Sequence, residues 1–433
     1  MKVEKLYQIK NNELFSLPPR AFEEGEYEMQ LLNIYNEKIA PISGFGGAFT
    51  DSSAYNYHLA NDTVKKQMLE ELFGESGLKY NFCRLCVGSS DFAVEEFCYV
   101  QDDDYTLETF SIARDKKYVI PFLKDALAYT KGNIYLFASP WSPPTFMKTT
   151  DSRFRGGKLR KECYELYAEY IVKFLQAYQE EGIKISALTL QNEPMATQTW
   201  ESCCYTTEDE IEYAKVLKNT LGKHNLSNVK LYCWDHNKER VFEKANTIFN
   251  ACGGVIDGIG YHWYSGEHFD GVRLVHQKFP DKFLFASEFC ISSVEDRVEN
   301  LYANEILNDI NCGSNAICEW NLILDEEGGP YHNRQGGCAA PIRFNTKTGE
   351  VTKGETYYDM YIFSHFVKQG AVSLYTSSFY KDVQVTAFEN PDGQMVVVVN
   401  NMGRKRKDVR VYINKQFYPL PLDAKSKYVL VIE

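Results

Sequence analysis

The sequence lacks any apolar segment long enough to cross a lipid bilayer. Its longest strongly apolar run covers residues 395–399, whereas a membrane-spanning helix needs about 20 such residues. Residues 1–7 also contain no apolar core of the length found in secretion signals. We therefore expect a soluble, cytoplasmic protein with no stable insertion into membranes.

The chain has fewer basic than acidic residues. It contains 47 Lys and Arg residues and 59 Asp and Glu residues, which gives a formal net charge of −12. A chain this acidic repels phosphate backbones, so nucleic acid is not expected as a partner. The one basic cluster, residues 404–407, is short. We expect it to form the solvated edge of a hairpin.

Motifs for metal binding are also missing. Cys83 and Cys86 have a spacing seen in zinc sites, but they lie in a predicted strand, where residues three apart point to opposite faces. His236, His262 and His268 form no helical His-x-x-x-His pair, so we expect them to make hydrogen bonds rather than to bind a metal. No metal or organic cofactor is expected. A Gly-x-Ser-x-Gly motif is absent too, which disfavours a serine hydrolase.

What the sequence does contain is a regular alternation of apolar strands and amphipathic helices. This alternation predicts a parallel sheet, and eight units over about 300 residues predict a closed (β/α)8 TIM barrel. A doubly wound open sheet is the alternative, but Gly44, Gly46 and Gly47 lack the spacing of a phosphate-binding turn. The predicted barrel strands cover residues 42–49, 82–87, 134–138, 185–190, 229–234, 256–262, 283–287 and 316–320.

Three helices carry the clearest sequence signals. Residues 167–178 place their large apolar side chains on one helical face. A second helix is predicted from a cap at Asn61 to Gly74. A third opens with a capping box formed by Thr207 and Glu210.

After about residue 370 the pattern changes to strands without intervening helices. The Asn-Pro-Asp-Gly sequence at residues 390–393 is typical of a hairpin turn. The predicted strands here cover residues 383–388, 394–399, 409–413 and 428–432. Alternating polarity at residues 27–31 indicates that the N-terminal segment joins this antiparallel β-sandwich, which brings the termini together. The predicted division is therefore residues 1–38 and 369–433 for the sandwich and 39–368 for the barrel.

Two predicted barrel strands end in a glutamate. Asn192 and Glu193 follow the strand at residues 185–190, and Glu288 follows the strand at 283–287. Function in a TIM barrel lies at these carboxyl ends, and glycoside hydrolysis needs two carboxyl groups that face each other. Ordinary salt bridges would also explain two such glutamates. Glu319 and Asp51 are further carboxylates at strand ends that could replace either one.

Aromatic and hydrogen-bonding residues at the other strand ends favour a sugar ligand. A sugar stacks its C–H face on aromatic rings, while its hydroxyl groups need donors and acceptors. Simple hydrophobic packing could explain any one of these positions but explains the whole set poorly. The set comprises Asp91, Trp141, Trp200, Trp234, Asp235, His236, His262, Trp263, Tyr264 and Trp320.

The sequence segments at these strand ends resemble glycoside hydrolase family 30, in particular bacterial-type members of its glucosylceramidase (acid β-glucosidase) branch. The resemblance covers the whole chain, and the matching strings occur in the same order. They lie at residues 44–51, 90–92, 138–144, 192–194, 262–264, 285–288, 320–322 and 328–330.

The resemblance implies a (β/α)8 barrel with a β-sandwich built from both termini, and cleavage of terminal β-glucosides with retained configuration. It implies that Glu193 is the general acid/base, which needs a raised pKa, and that Glu288 is the nucleophile. Arg84 would lie near the carboxylates and keep Glu288 ionised. The residues expected to bind substrate are Asp91, Trp141, Asn192, His262, Tyr264 and Trp320, with Asp235 and His236 in support.

Departures from the glucosylceramidase pattern leave other substrates open. Residues 329–335 resemble the bacterial members, and Glu319 stands where many relatives have Asp. The resemblance implies that both positions border the aglycone side. The alternatives are an endo-β-1,6-glucanase, a β-xylosidase or a β-fucosidase of the same family. A non-catalytic carbohydrate-binding protein is the alternative from another class, which the presence of Glu193 and Glu288 disfavours.

Overall fold

The computed structural model describes residues 1–25, 29–291 and 301–433. The described chain begins with three strands that lie in the C-terminal β domain, namely β1 (Val3–Lys10), β2 (Glu13–Leu17) and β3 (Leu31–Pro41). The predicted strand at residues 27–31 lies partly outside the described residues. Within the described part, β3 begins only at Leu31.

Eight parallel strands then close into a barrel, as the strand–helix alternation predicts. The first strand pairs with the last, so the doubly wound open sheet is excluded. The eight predicted runs coincide with these strands to within a few residues at either end. The barrel strands are β4 (Gly44–Phe49), β5 (Phe82–Val87), β6 (Tyr135–Pro140), β7 (Ala187–Thr189), β8 (Lys230–Asn237), β9 (Gly258–His262), β10 (Phe283–Glu288) and β11 (Ala316–Asn321).

Amphipathic helices pack around the barrel because they bury one apolar face against the strands. The described helices are α1 (Asp51–Leu59), α2 (Asp62–Phe73), α3 (Val119–Tyr129), α4 (Tyr164–Glu180), α5 (Thr207–Lys223), α6 (Val241–Cys252), α7 (Phe269–Lys278) and α8 (Leu301–Asn311). A small sheet and one more helix follow, and the sequence analysis does not predict them. They are β12 (Ile323–Asp325), β13 (Ile342–Phe344), β14 (Val351–Lys353) and α9 (Tyr357–Ser364). No described helix is long and apolar enough to span a membrane.

The C-terminal strands combine with those of the N-terminus into one nine-stranded sheet, which confirms the predicted β domain built from both termini. Its strand order is β19-β18-β3-β15-β16-β17-β20-β1-β2. The sequence analysis misses β15 and β19. The prolines of β19 argue against a strand, but β19 is an edge strand, where proline is tolerated. The C-terminal strands are β15 (Val372–Ser378), β16 (Val383–Glu389), β17 (Met395–Asn401), β18 (Lys407–Ile413), β19 (Gln416–Leu422) and β20 (Ser426–Ile432).

The longest apolar run of the sequence forms the start of β17, which is buried on both faces. Val396 and Val398 pack in the large core shared with the barrel. Val397 and Val399 point the other way, into the core of the sandwich. Alternate residues of a strand face opposite sides, so a strand between two cores needs continuous apolar sequence.

The helix caps agree with the sequence at one helix and differ by one residue at another. Asn61 caps α2 by accepting from the Val64 N–H, and Gly74 follows its last turn, as predicted. The capping box of α5 is formed by Thr206 and Asp209, not by Thr207 and Glu210. The predicted pair is wrong because Glu210 points inward, where its Oε1 accepts from the Trp234 N–H at 3.0 Å.

Replacing Glu210 with Gln is expected to stabilise the protein at pH 8 and to change its stability little at pH 4. Burial raises the pKa of Glu210 from 4.5 to about 7. A raised carboxyl pKa contributes stability that is present below pH 4.5 and lost as the pH rises through about 7. The neutral amide of Gln does not titrate, so the variant keeps the free energy of unfolding that the wild type loses, which is on the order of 3 kcal/mol. Urea unfolding at both pH values measures it, with Glu208→Gln on the exposed face of α5 as the control. Equal pH dependence in wild type and Glu210→Gln would contradict this account.

Candidate active site

Three barrel strands carry a β-bulge at their carboxyl ends. The pairing register slips by one residue in β8, β10 and β11, and the extra residues are Asp235, Ser287 and Trp320. A bulge re-aims the side chain that it inserts. The slips therefore turn a carboxylate, a hydroxyl and an indole toward the mouth of the barrel.

The backbone is also unusual beside these bulges. Glu193, Trp234 and Asp235 adopt positive φ angles of 46°, 70° and 51°, a conformation that costs non-glycine residues energy. The Glu193 N–H donates to the Asp235 carbonyl oxygen at 2.9 Å, which joins the ends of two neighbouring strands. This hydrogen bond fixes the direction in which Glu193 leaves the barrel.

Arg84 lies at the centre of the barrel and is fully buried. It donates from Nη1 to Glu288 Oε2 at 2.5 Å, and from Nη2 to Asp235 Oδ2 at 2.8 Å and Asn192 Oδ1 at 2.9 Å. Its Nε donates to Ser139 Oγ at 3.0 Å. One planar guanidinium therefore positions groups from four different strand ends.

Asp235 is the second buried hub of the site. Ser139, Thr189 and Ser287 all donate their hydroxyl groups to it, at 3.0, 2.6 and 2.6 Å. Burial alone would raise the pKa of Asp235, but the charge of Arg84 and the hydrogen bonds outweigh burial and hold the pKa well below its usual range. Asp235 is therefore a permanent anion at neutral pH.

His262 lies between the two candidate catalytic carboxyl groups. Its Nε2 donates to Asp235 Oδ1 at 3.0 Å, while its Nδ1 lies 3.2 Å from Glu193 Oε1 and 3.9 Å from Glu288 Oε1. Burial lowers the pKa of His262, but Glu288, Asp235 and Glu193 together raise it to about 9. The imidazole is therefore a cation at neutral pH and holds the three carboxylates around it.

The pKa of Glu193 is lowered, where the sequence analysis expects it to be raised. Burial does act to raise this pKa, but His236 and His262 outweigh burial. Their Nδ1 atoms lie 3.7 and 3.2 Å from Glu193 Oε1. At neutral pH the proton between the two side chains is thus held on the imidazole of His262, beside Glu193 rather than on it.

A cavity of about 260 Å³ opens above these groups. Trp141 and Trp320 stack on one wall with ring centroids 5.2 Å apart, and the Arg84 guanidinium lies over both rings. Tyr264 is half exposed and donates its hydroxyl to Glu288 Oε1 at 3.0 Å. The cavity is lined by Asp91, Trp141, Asn192, Glu193, Gln198, Trp200, His236, Asn237, Tyr264, Glu288, Cys290, Trp320 and Arg334.

The two parts of the chain match two family models. The glycosyl hydrolase family 30 TIM-barrel domain matches residues 42–367, and the glycosyl hydrolase family 30 beta sandwich domain matches residues 370–427. The chain belongs to glycosyl hydrolase family 30. This finding confirms the family resemblance and the fold class expected from the sequence.

Individual relatives agree with the family. The chain is 30% identical to the lysosomal acid glucosylceramidase of Mus musculus, over 87% of this chain and 78% of the mouse protein. It is similar to the crystal structure of SrfJ from Salmonella typhimurium, with 30% identity and a TM-score of 0.94 over 100% of this chain and 99% of that one. An endo-β1,6-glucanase structure has 26% identity and a TM-score of 0.87, also over 100% and 99% of the two chains.

The structure brings all the site residues predicted for this family 30 chain to the same end of the barrel. Eight of them line the cavity, namely Asp91, Trp141, Asn192, Glu193, His236, Tyr264, Glu288 and Trp320. The other three, Arg84, Asp235 and His262, are buried and bonded to those that line it.

The other candidate residues lie elsewhere. Glu319 accepts hydrogen bonds from Tyr80, Tyr302 and Thr356, on the outer side of β11. Asp51 forms an ion pair with Arg114 at 2.8 Å. His268 precedes α7 and lies outside the cavity lining. Because Glu319 and Asp51 both lie outside the cavity lining, neither carboxylate can take the place of Glu193 or Glu288.

Arg334 is the main cavity residue that the sequence analysis misses. It donates from Nη1 to Asp91 Oδ2 at 2.6 Å, and its guanidinium lies over the rings of Phe92 and Trp200. Burial raises the pKa of Asp91 to about 6 although Arg334 acts to lower it. A single arginine within a loop carries no spacing signal, and only the excess of acidic groups at the strand ends hints at a cation here.

Proposed function

We propose that this family 30 protein hydrolyses terminal β-glucosides with retention of anomeric configuration. Glu288 attacks the anomeric carbon while a proton passes through Glu193 to the departing glycosidic oxygen. A water molecule, deprotonated by Glu193, then attacks the glycosyl-enzyme and releases the sugar. The observation that carries this proposal is that both carboxyl groups approach one nitrogen, His262 Nδ1, beneath a cavity of about 260 Å³.

The contacts of Glu288 support its role as nucleophile. Arg84 and Tyr264 each donate to one of its carboxylate oxygens. These donors stabilise the anion and leave lone pairs directed into the cavity. A nucleophile in double displacement must be ionised at the start of the reaction, and the ionised carboxylate is the form to which Arg84 and Tyr264 can both donate.

Asn192 supports the proposal through the direction of its amide. A guanidinium only donates hydrogen bonds, so the amide atom facing Arg84 is the oxygen. The NH2 group of Asn192 therefore faces the cavity. There it can donate to the 2-hydroxyl of the sugar, a contact that strengthens in the transition state.

The size and walls of the cavity support a terminal sugar. Sites for drug-sized ligands occupy about 300–1,000 Å³, and a cavity of about 260 Å³ is suited to one sugar ring. The stacked Trp141 and Trp320 offer an apolar wall to the C–H face. Asp91, fixed by Arg334, offers acceptors to hydroxyl groups.

An endo-β-1,6-glucanase is the second candidate, favoured by the similarity over the whole chain to the endo-β1,6-glucanase structure.

Two measurements distinguish the candidates. The first is the initial rate on aryl β-glucoside, β-xyloside, β-fucoside and glucosylceramide, and the second is the size of the early products from a β-1,6-glucan. Our proposal predicts the highest rate on a glucoside and glucose as the only early product. Early oligosaccharides from the glucan would favour the endo-glucanase. Sugar binding without turnover of any substrate would favour a carbohydrate-binding protein.

Replacing His262 with Asn is expected to move the basic limb of the kcat/KM profile to lower pH by at least about one unit. In the wild type, Glu193 and His262 share one proton. The surrounding carboxylates raise the pKa of His262 to about 9, so this proton is lost only as the pH rises through about 9. Without the imidazole, the proton must reside on a buried carboxyl group, which releases it at lower pH. His58→Asn on the exposed part of α1 is the matched control. An unchanged basic limb in His262→Asn would show that the two residues do not share the proton.

A further inference from the structure

Two histidines and a carboxylate converge at one point of the cavity floor. Glu193, His236 and His262 each offer one possible ligand atom, and these three atoms all lie within 4.8 Å of one another. The two nitrogens are 3.7 and 3.2 Å from the carboxylate oxygen. In a tetrahedral zinc site with bonds of about 2.0–2.1 Å, neighbouring ligand atoms are about 3.3 Å apart. The two distances to Glu193 Oε1 are therefore close to those of a tetrahedral site, and the two histidines would have to approach each other to complete three of its corners.

His236 supplies an independent indication of a ligand. Its side chain is buried, yet its Nδ1 makes no hydrogen bond within the described residues and only approaches Glu193 Oε1 at 3.7 Å. A buried polar atom without a partner costs free energy. A cation bound between His236 and Glu193 would satisfy this nitrogen.

His262 is already oriented as a metal ligand would be. Its Nε2 donates to Asp235, so a divalent ion has only to displace the second proton, which the imidazole carries on Nδ1 at neutral pH, to find a lone pair there. That lone pair faces Glu193. Metal-binding histidines commonly donate their other nitrogen to a carboxylate in this way, which fixes the tautomer and the ring orientation.

The charges at the site favour a cation of a particular class. Glu193, Asp235 and Glu288 supply three carboxylates, against which stand the Arg84 guanidinium and the His262 imidazolium, and the imidazolium becomes neutral when it binds a metal ion. Two imidazole nitrogens and one carboxylate oxygen match the donor set of many zinc sites. Mg²⁺ and Ca²⁺ prefer sites made only of oxygen atoms.

We propose that Glu193, His236 and His262 form a binding site for one zinc-like divalent ion, whose fourth ligand position opens into the cavity. This inference goes beyond the proposed function, because it assigns the same three side chains a second ligand. Only the expected effect of the ion on hydrolysis rests on the proposed function. If Glu193 is the acid/base, a bound ion occupies that oxygen and inhibits hydrolysis.

Binding is tested without substrate, so that its failure is distinguishable from failure of the proposed function. The metal-stripped protein is titrated with Co²⁺, read by the visible absorption of tetrahedral cobalt, and with Zn²⁺ in competition with a chromophoric chelator. We expect one equivalent to bind and an excess of Mg²⁺ not to compete. His236→Asn and Glu193→Gln should each weaken binding at least tenfold, because losing even an outer-shell partner costs about 10–100-fold. His58→Asn should leave binding unchanged, and thermal unfolding in chelator confirms that the variants are folded.

Cys290 and Cys338 offer the competing explanation, since their sulfur atoms lie 3.1 Å apart beside the same cavity. We expect Cys290→Ser to bind the ion as the wild type does. Loss of binding in Cys290→Ser with retention in His236→Asn would assign the ion to the thiols and overturn the proposal. The absence of stoichiometric binding to the wild type would overturn it too.

Discussion

Replacing Glu288 with Gly is expected to lower kcat for an aryl β-glucoside by at least about a thousandfold. The variant loses the carboxylate that Arg84 and Tyr264 direct into the cavity, and with it the covalent step. Added azide should restore turnover, because this small anion can attack the anomeric carbon from the vacated side. The bond to the departing phenol breaks as the C–N bond forms, so the product is the α-glucosyl azide.

The matching variant of Glu193 gives the opposite stereochemistry. In Glu193→Gly, the glycosyl-enzyme still forms from a substrate whose leaving group needs no proton, and azide then attacks that intermediate. Two inversions give the β-glucosyl azide. Glu319→Gln is the control, since Glu319 also lies near the carboxyl end of a barrel strand but contacts Tyr80, Tyr302 and Thr356 instead. A thousandfold loss in Glu319→Gln, with activity retained in Glu288→Gly, would mean that the nucleophile is misassigned.

Replacing Arg84 with Met is expected to have the largest effect on stability. Arg84 is fully buried and pairs with Asp235 and Glu288. Removing one partner of a buried ion pair typically costs about 3–5 kcal/mol, because it leaves an uncompensated charge. Activity should fall as well, since Glu288 and Asn192 both lose the donor that positions them.

The pH dependence identifies the cause of that loss. The depressed pKa of Asp235 contributes stability that is present above its ordinary value of 3.8 and is lost as the pH falls through the folded-state pKa. Without Arg84, burial is opposed only by His262 and the hydroxyl donors, so we expect the pKa of Asp235 to rise above 3.8 and this contribution to change sign. Urea unfolding should therefore show a larger difference between wild type and Arg84→Met at pH 7 than near pH 4. Arg240→Met removes a partly exposed ion pair and should cost less than about 1 kcal/mol. A pH-independent difference would indicate lost packing instead of an unpaired anion.

The barrel and the two glutamates are predictable because their signals are local. Each apolar run is followed within three residues by the one that reaches the mouth, as Glu193 and Glu288 show. The (β/α)8 topology then requires these ends to meet. The same logic fails for Glu319, because its side chain lies on the outer side of the strand.

The hydrogen-bond hubs are not predictable in the same way. Ser139, Thr189 and Ser287 come from three different strands and become partners only when all of them reach Asp235. The bulge that places Asp235 there leaves no mark in the sequence. The lowered pKa of Glu193 likewise depends on two histidines that are distant in sequence from it and from each other.

Proton NMR of the first product formed from an aryl β-glucoside tests the central claim most directly. Retention through a glycosyl-enzyme on Glu288 predicts that the β-anomer of glucose appears first and that the α-anomer follows only by mutarotation. If the α-anomer appears first, water attacks the substrate directly and Glu288 is a base, which contradicts the double-displacement account.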